Sequence, residues 1–462
     1  MTLQIKTDYL VIGSGAMGMA FVDTLLDEMP DADIVMVDRF AKPGGHWNFA
    51  YPFVTLHQPS AFYGVNSREL SQGLKDERGL NKGLGDLATG AEILAYFDDV
   101  MRQKFLAFGR VRFFPMSDYE GEGVFTHRLS GDKTQVDAVK IVDCTHLTTN
   151  IPSLHTPNFS VADDVAFMAL NDLPKIKDAP KGFTIIGGGK TGVDAILWLL
   201  ENHVPPKNIR WIKSRDAWLL NRKHTQPFPE YFEDTIGNQA NMFEAIAAAQ
   251  SKSDMFDRLE SCGYFLRLDP TVRPTMFHGA TISEAELVEL RRVKDVVRKG
   301  RVATITSEKM SFVNGRTEPT MDHVIVDCSA SAVENFTIKP VFNGNVITPQ
   351  TTRAYQPVFS ASMIAWVEAN VEGEAAKNSL TAVVPLPDDL DTFIRMTAAN
   401  MMNQALWGQN KALRKWMREQ RLDGFSKLVS GVQPHEIAKR EIIKRLREAA
   451  MPAMSKLQSF LS

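Results

Sequence analysis

The chain has few of the features that mark disulfide-rich, membrane or nucleic-acid-binding proteins. Its 462 residues include 3 cysteines, which form no C-x-x-C pair and no metal-spaced cluster, so we expect neither a disulfide framework nor a metal site. The formal net charge of -3 gives no electrostatic basis for binding nucleic acid. No run of about 18 apolar residues and no N-terminal signal region is visible, so we expect a cytoplasmic protein without a membrane span.

Two copies of one glycine motif stand out against this ordinary background. They are Gly13-x-Gly15-x-x-Gly18 and Gly187-x-Gly189-x-x-Gly192. Each follows a short apolar run and opens a segment of helical character, which is the strand–turn–helix context of a dinucleotide site. The glycines permit a tight turn, let the backbone approach a diphosphate and allow close helix–strand packing, while the helix N-terminus attracts the phosphates. Two such motifs suggest two nucleotides held face to face, with electrons passed between them.

The pattern predicts one plan used twice, an α/β fold with two Rossmann-like units and a β-meander inserted before the last strand of each. The first unit should contain, in order, strand 9–12, helix Ala16–Glu28, strand 33–37, a helix begun by a capping box at Thr89, and a closing segment at 142–145. The second should contain strand Phe183–Ile186, helix 191–202, strand Ile209–Ile212, a capping box at Ser283, a helix C-cap at Gly300, a hairpin at Asn314-Gly315, and a closing segment at 326–329. The closing segments match, Val-Asp-Cys-Thr and Val-Asp-Cys-Ser, which favours a repeat.

We therefore predict three regions. Residues 1–150 and 325–400 form the first dinucleotide-binding domain, residues 151–324 the second with a mostly helical insertion at 221–300, and residues 401–462 a helical tail. From Lys411 onward the tail holds 12 Lys or Arg and 5 Asp or Glu. This basic surface is either a solvated helical face or a surface for a partner.

The two predicted nucleotide sites differ at the end of their second strand. Asp38 follows the first such strand, where a carboxylate can accept hydrogen bonds from ribose hydroxyls. The second such strand is followed by Lys213, Ser214 and Arg215, a cluster that suits a 2′-phosphate, the alternative being surface charge. Although Lys190-Thr191 resembles part of a P-loop, that motif needs glycine at position 184, which is threonine, so we exclude an ATPase.

The order of these motifs resembles that of the flavin-containing and Baeyer–Villiger monooxygenases, which are flavoproteins with two dinucleotide-binding domains. A Gly-Gly-x-Trp element, here Gly44-Gly45-His46-Trp47, stands between the acidic strand end and the second glycine motif, as in that family. The segments 216–222 and 356–370 are also similar. The segment 159–163, however, lacks the glycine and histidine of the family's signature before the second motif.

The resemblance implies FAD at the first site and NADP(H) at the second. The residues implied for FAD are Gly13, Ser14, Gly15, Ala16, Met17, Gly18, Asp38, Arg39, Gly45, His46, Trp47 and Gln58. Those implied for NADP(H) are Gly187, Gly189, Lys190, Thr191, Gly192, Lys213, Ser214 and Arg215.

The irregular segment 47–63 is rich in aromatic and polar side chains and is a candidate to line the flavin ring. We take His46, His57 and Gln58 as candidate catalytic residues, the alternative being packing over the cofactor. The predicted function is an FAD-dependent, NADPH-using monooxygenase that transfers one oxygen atom from O2 to a nitrogen, sulfur or carbonyl carbon of a small substrate. Alternatives are a flavin reductase or oxidase without oxygenation, and a nucleotide-sensing flavoprotein that acts through partners.

Overall fold

The computed structural model describes residues 3–147, 149–150, 153–331, 333 and 337–462. The strands are β1 (Leu3–Ile12), β2 (Ile34–Val37), β3 (Val111–Phe114), β4 (Ser117–Gly121), β5 (Val124–His127), β6 (Lys133–Asp143), β7 (Ser160–Val161), β8 (Phe167–Ala169), β9 (Phe183–Ile186), β10 (Ile209–Ile212), β11 (Ala217–Asn221), β12 (Phe265–Leu266), β13 (Met276–Ile282), β14 (Asp295–Val297), β15 (Val302–Ile305), β16 (Lys309–Phe312), β17 (Thr317–Pro319), β18 (Val324–Asp327), β19 (Phe342–Asn343) and β20 (Val346–Ile347). The α-helices are α1 (Ala16–Glu28), α2 (Gly90–Val100), α3 (Lys190–Glu201), α4 (Asn238–Ala248), α5 (Lys252–Ser261), α6 (Glu284–Leu290), α7 (Pro357–Asn370), α8 (Glu374–Leu380), α9 (Leu390–Gln409), α10 (Lys411–Glu419), α11 (Ser426–Ser430) and α12 (Ile437–Leu461).

The first sheet has the order β19-β20-β6-β1-β2-β3, and β4 and β5 extend it as an antiparallel meander beside β6. Strand β1 pairs in parallel with β2 and β6, so the carboxyl ends of all three meet at one edge. The strand begins earlier than predicted, because Leu3 already pairs with Thr134. Residues 3–8 alternate between exposed and buried positions, so they lack the continuous apolar run that identified residues 9–12. The predicted capping box at Thr89 is present and begins α2.

The second sheet repeats this plan with the order β14-β10-β9-β18-β8, and its strands pair in parallel. A separate four-stranded sheet, β17-β16-β15-β7, contains the predicted meander. Gly315 forms its hairpin turn with φ at +80°, as the Asn-Gly pair predicts. Two Rossmann-like units with inserted meanders are therefore confirmed.

The insertion at 221–300 is less helical than predicted. It contains α4, α5 and α6, but also the strands β12 and β13. These two strands form a three-stranded sheet with β11, which ends where the insertion begins, and β14 joins the second Rossmann sheet. The capping box at Ser283 is present. Gly300 does not cap a helix, since α6 ends ten residues earlier at Leu290; with φ at +106° it forms the turn between β14 and β15. Strand pairing across distant segments overrode the local helical preference.

The first unit is completed by residues that follow the second. Strand β20 pairs in parallel with β6, and α7 packs against α1, where the hydroxyls of Thr24 and Ser362 are 2.7 Å apart. The boundary predicted before residue 325 cuts through β18, which pairs with β8 and β9 in the second sheet, so the return to the first unit begins after Asp327. Residue 151, where we predict that the second domain begins, lies outside the described residues.

The C-terminal tail packs against both units. Helix α12 contacts α4 and α9, and Arg445 Nε donates a 2.9 Å hydrogen bond to Glu244. Arg421 donates to the backbone carbonyls of Ala61 at 2.6 Å and Tyr63 at 2.8 Å. No helix in the described ranges is both long and apolar enough to cross a bilayer.

Candidate functional site

The first glycine motif forms the turn between β1 and α1. Gly13 has φ at +93°, a conformation that favours glycine. A Cβ atom on Gly18 would lie 2.0 Å from the carbonyl oxygen of Gly13, so only glycine lets α1 approach the turn this closely. Gly15 begins the helix without a side-chain cap, and Ala16 and Met17 follow it half-buried in the first turn. The N–H groups of that turn are the donors that a bound anion would meet.

Asp38 lies directly beside this turn. Its Oδ2 atom accepts hydrogen bonds from Ser14 N at 2.5 Å and Ser14 Oγ at 2.7 Å, and its Oδ1 atom accepts one from Phe40 N at 2.8 Å. The carboxylate therefore fixes the glycine turn, and its role toward a ribose stays a prediction. Arg39, the next residue, has a side chain that is 65% exposed and pairs with Asp118 at 3.0 Å, so its place in the predicted site stays a prediction.

The Gly-Gly-x-Trp element packs onto the first glycine turn. Gly44 N donates to Ser14 O at 2.9 Å, and a Cβ on Gly45 would lie 2.9 Å from the Cα of Gly15. Both glycines have positive φ, +114° and +57°, so the two turns meet through their backbones. Trp47 extends from this element and donates from Nε1 to the Tyr63 hydroxyl at 2.8 Å. The resemblance implies that this element lies near the first nucleotide, and the structure places it against the first glycine turn.

The second glycine motif forms the equivalent turn between β9 and α3. Gly187 has φ at +137°, and a Cβ there would lie 2.1 Å from the carbonyl oxygen of Cys328. A Cβ on Gly192 would lie 2.3 Å from Gly187 O. In contrast, a Cβ on Gly189 would meet nothing within 4 Å. Two of the three glycines are thus needed for packing, and the third faces open space at the start of α3.

The matching Val-Asp-Cys segments occupy the same place in both units. Cys144 N donates to Ile12 O at 3.0 Å, and Cys328 N donates to Ile186 O at 2.8 Å. In each unit the preceding aspartate accepts a hydrogen bond from the backbone N–H two residues further on, at 2.9 Å. Burial raises the pKa of both cysteine thiols, which is expected of packing residues and not of reactive thiolates. The repeated segments therefore pack against the two glycine turns in the same way.

The basic end of β10 is divided between buried and exposed residues. Lys213 is buried and lies 2.9 Å from the carboxylate of Asp216, which also accepts a 2.7 Å hydrogen bond from Arg298. Burial lowers the pKa of Lys213, and Asp216 opposes that change. Lys213 is therefore paired inside the fold, contrary to its prediction as a phosphate ligand, whereas Ser214 and Arg215 are exposed.

The candidate catalytic residues have separate surroundings. His46 is half-buried beside Trp47, and burial lowers its pKa to about 4, so it is neutral at pH 7. His57 and Gln58 are also half-buried. Desolvation and the positive charges of Lys190 and Arg222 lower the pKa of His57.

Two residues that connect the units here were given no role by the sequence analysis, although one of them, Arg222, ends the segment 216–222 that resembles the monooxygenases. Asp194 on α3 accepts a 2.6 Å hydrogen bond from the hydroxyl of Tyr51 and lies 3.9 Å from Nε2 of His57. Arg222 is fully buried, donates to His57 O at 3.0 Å and pairs with Glu286 at 2.9 Å. The position of Arg222 just after a buried strand was the available signal; Asp194 gave none beyond its four-residue spacing from Lys190.

No protein-family model matches the chain. It is 42% identical over 459 residues to an uncharacterized protein of Mycobacterium tuberculosis, an alignment that covers 99% of this chain and 85% of that protein. An uncharacterized protein of Mycobacterium bovis matches with the same identity, 42%, and the same coverage.

Similar solved structures include two monooxygenases. Cyclohexanone-bound cyclohexanone monooxygenase in the Rotated conformation has a TM-score of 0.50 and 14% identity, covering 88% of this chain and 99% of that one. Oxidized steroid monooxygenase bound to NADP has a TM-score of 0.50 and 14% identity, covering 79% and 85% respectively. The chain thus belongs to the same family as the two mycobacterial proteins, and it has the fold of flavoproteins with two dinucleotide-binding domains.

Proposed function

We propose that this protein is an oxidoreductase that binds FAD at the first glycine turn and NADP(H) at the second, and that it transfers one atom of O2 to a small organic substrate. The observation that carries the proposal is the pair of equivalent glycine turns with different strand ends. Asp38 is acidic at the first, whereas Ser214 and Arg215 are exposed at the second. A carboxylate suits ribose hydroxyls, and an exposed guanidinium with a hydroxyl suits a 2′-phosphate.

The residues present fit both groups. A Cβ on Gly189 would meet nothing within 4 Å, so the start of α3 is open at this point, and the helix N-terminus favours negative charge there. At the first site the half-exposed first turn of α1 would offer the same donors, and the Gly44-Gly45 turn lies beside it, with Gly44 N donating to Ser14 O at 2.9 Å.

Bound FAD would supply the redox chemistry, accepting a hydride from NADPH and returning two electrons to O2. In the overall reaction NADPH, a proton, O2 and the substrate give NADP+, water and the oxygenated substrate. The chain would contribute binding, orientation and exclusion of water. In the segment after the first turn, the rings of Trp47 and Tyr63 would supply an apolar surface, and their polar atoms, the indole Nε1 and the hydroxyl, are joined by a hydrogen bond. His46 would act there as a neutral hydrogen-bonding group, because its pKa of about 4 keeps it unprotonated at pH 7.

A visible spectrum of the purified protein, followed through anaerobic addition of NADPH, tests the cofactors. We expect a flavin spectrum that bleaches faster with NADPH than with NADH. A colourless protein that takes up no added FAD would overturn the proposal.

Oxygen transfer needs its own measurement. With candidate amines, sulfides and ketones, we expect one oxygenated product for each NADPH consumed. Hydrogen peroxide as the sole oxygen product with every substrate class would reduce the proposal to a flavin oxidase or reductase.

A further inference from the structure

One carboxylate joins the two units at the start of α3. Asp194 Oδ2 accepts the 2.6 Å hydrogen bond from Tyr51 and lies 3.9 Å from His57 Nε2, while its Oδ1 forms a close ion pair with Lys190. Tyr51 and His57 belong to the segment that follows the first glycine turn, and Lys190 is the first residue of α3. The side chains of Lys190 and Asp194 are 10% and 14% exposed, so this junction is largely shielded from water.

The charges of the junction are balanced without a ligand. Lys190 is positive and Asp194 negative; burial, then the charge of Asp194, raises the pKa of the Tyr51 hydroxyl and keeps it neutral. Around His57, Lys190 and Arg222 disfavour a positive charge, whereas Glu286 favours one. Arg222 is fully buried in its pair with Glu286. Of the two cations near His57, Lys190 is therefore the one that can exchange its carboxylate partner for a ligand.

A diphosphate at the second glycine turn would add negative charge beside Lys190. The lysine ammonium is a point charge on a flexible stem with three donors, so it can turn toward phosphate oxygens. Asp194 would then keep its hydrogen bond from Tyr51 but lose its cation, and His57, whose Nε2 lies 3.9 Å from Asp194, can replace that cation once protonated.

We propose that Lys190 is a diphosphate ligand that Asp194 holds in place before the nucleotide binds. Asp194 is a positioning residue: when the second nucleotide binds, the change in its ion pair alters its contacts with His57 and Tyr51 of the first unit. This inference rests on the proposed function. In it, nucleotide binding shifts Lys190 from Asp194 to phosphate, and His57 takes up one proton from solvent as its new partner. The two nucleotide sites are thereby coupled through one side chain.

Calorimetry of NADP+ binding to the FAD-loaded protein at pH 6, in two buffers of different ionisation enthalpy, measures this proton directly. The 2′-phosphate of NADP+ itself titrates at about pH 6 and releases protons when it binds a guanidinium, so the variants are compared with one another. We expect the wild type to take up more protons per bound NADP+, by up to one, than His57→Gln or Asp194→Asn. Absence of any NADP+ binding by the wild type would overturn the proposed function and this inference with it. Binding with the same net proton count in the wild type and in His57→Gln would overturn this inference alone.

Lys190→Met tests the ligand role separately. We expect the Kd for NADP+ to rise about tenfold to a hundredfold, the usual effect of losing one charged hydrogen-bonding partner. The matched control is Lys175→Met, which breaks a lysine–aspartate pair whose lysine is 73% exposed, and which should leave the Kd unchanged. An unchanged Kd in Lys190→Met, with a melting temperature showing that the variant is folded, would contradict the assignment of Lys190.

Discussion

A methyl group added at Gly189 should separate nucleotide binding from folding in the second unit. Its backbone lies at φ -85° and ψ -174°, which alanine adopts without strain, and the new Cβ would meet nothing within 4 Å. The methyl group would instead occupy the space through which a diphosphate reaches the first turn of α3. Gly192→Ala is the matched control, because the same methyl group there would lie 2.3 Å from the Gly187 carbonyl oxygen.

Gly189→Ala should mainly change the affinity for NADP+, whereas Gly192→Ala should mainly change the stability of the fold. In Gly189→Ala the entropic gain from losing a glycine, about 0.4–1 kcal/mol, roughly offsets the poorer N-cap, so stability should stay within about 1 kcal/mol of the wild type. A methyl group that holds the phosphate away from one N–H donor of the turn costs the energy of one charged hydrogen bond, about 1.5–3 kcal/mol, and should weaken NADP+ binding about tenfold to a hundredfold. In Gly192→Ala, overpacking against backbone should cost about 1–3 kcal/mol and lower the melting temperature by about 2–12 °C.

Two measurements on the same samples check this. Differential scanning fluorimetry gives the melting temperatures, and quenching of tryptophan fluorescence by NADP+ gives the Kd. The flavin absorbance should be unchanged in Gly189→Ala, since the first unit is untouched. Wild-type affinity in Gly189→Ala would refute the assignment of this turn to a dinucleotide, and a wild-type melting temperature in Gly192→Ala would refute the packing argument.

Three further predictions follow from side chains of the site and the tail. Arg215→Ala should raise the KM for NADPH about tenfold and remove the preference for NADPH over NADH, whereas Lys213→Met should keep that preference. Steady-state kinetics with both nucleotides measures this, and an equal change of preference in the two variants would contradict it. Because the folded pKa of His46, about 4, lies below its ordinary value of 6.5, the unfolded chain binds more protons between these values, and stability should fall as the pH falls from 6.5 to 4. Urea unfolding across that range should give a flatter pH dependence for His46→Asn, and identical curves would contradict the shift. Asp423→Asn should lower the free energy of unfolding by about 3–5 kcal/mol by leaving the guanidinium of Arg353, 3.0 Å from the buried carboxylate, unpaired; an unchanged urea midpoint would count against this.

Local signals in the sequence predicted the parts of the fold that depend on local chemistry. The glycine turns, the capping boxes at Thr89 and Ser283, and the hairpin at Gly315 were all confirmed. Each rests on a backbone conformation or a hydrogen bond within a few residues, so a single chain is enough to recognise it. The matching Val-Asp-Cys segments were also informative, since they indicated a repeat before any strand pairing was known.

Features that depend on distant partners were missed. Gly300 looked like a helix C-cap because the strand before it, β14, is recognisable only from its pairing with β10. Lys213 looked like a phosphate ligand because its pairing with Asp216 depends on a bend after β10 that the sequence does not reveal. The spacing of Asp194 from Lys190 indicates only an ion pair along one helix, because its other partners, Tyr51 and His57, come from more than 130 residues earlier in the chain.

The split first unit also has a consequence for the order in which the chain folds during synthesis. The strands of the second Rossmann sheet lie between β8 and β18, so all of them have left the ribosome while α1 still lacks its partner. Helix α1 buries Phe21 and Leu25 fully, and α7, which packs against it, is synthesised 338 residues later as measured from Thr24 to Ser362. Contacts so distant in sequence form slowly, and the uncovered apolar face of α1 is prone to aggregate in the meantime. We therefore expect the nascent chain to depend on chaperones until α7 emerges, and a chain that stops after β18 to be recovered mainly as insoluble protein.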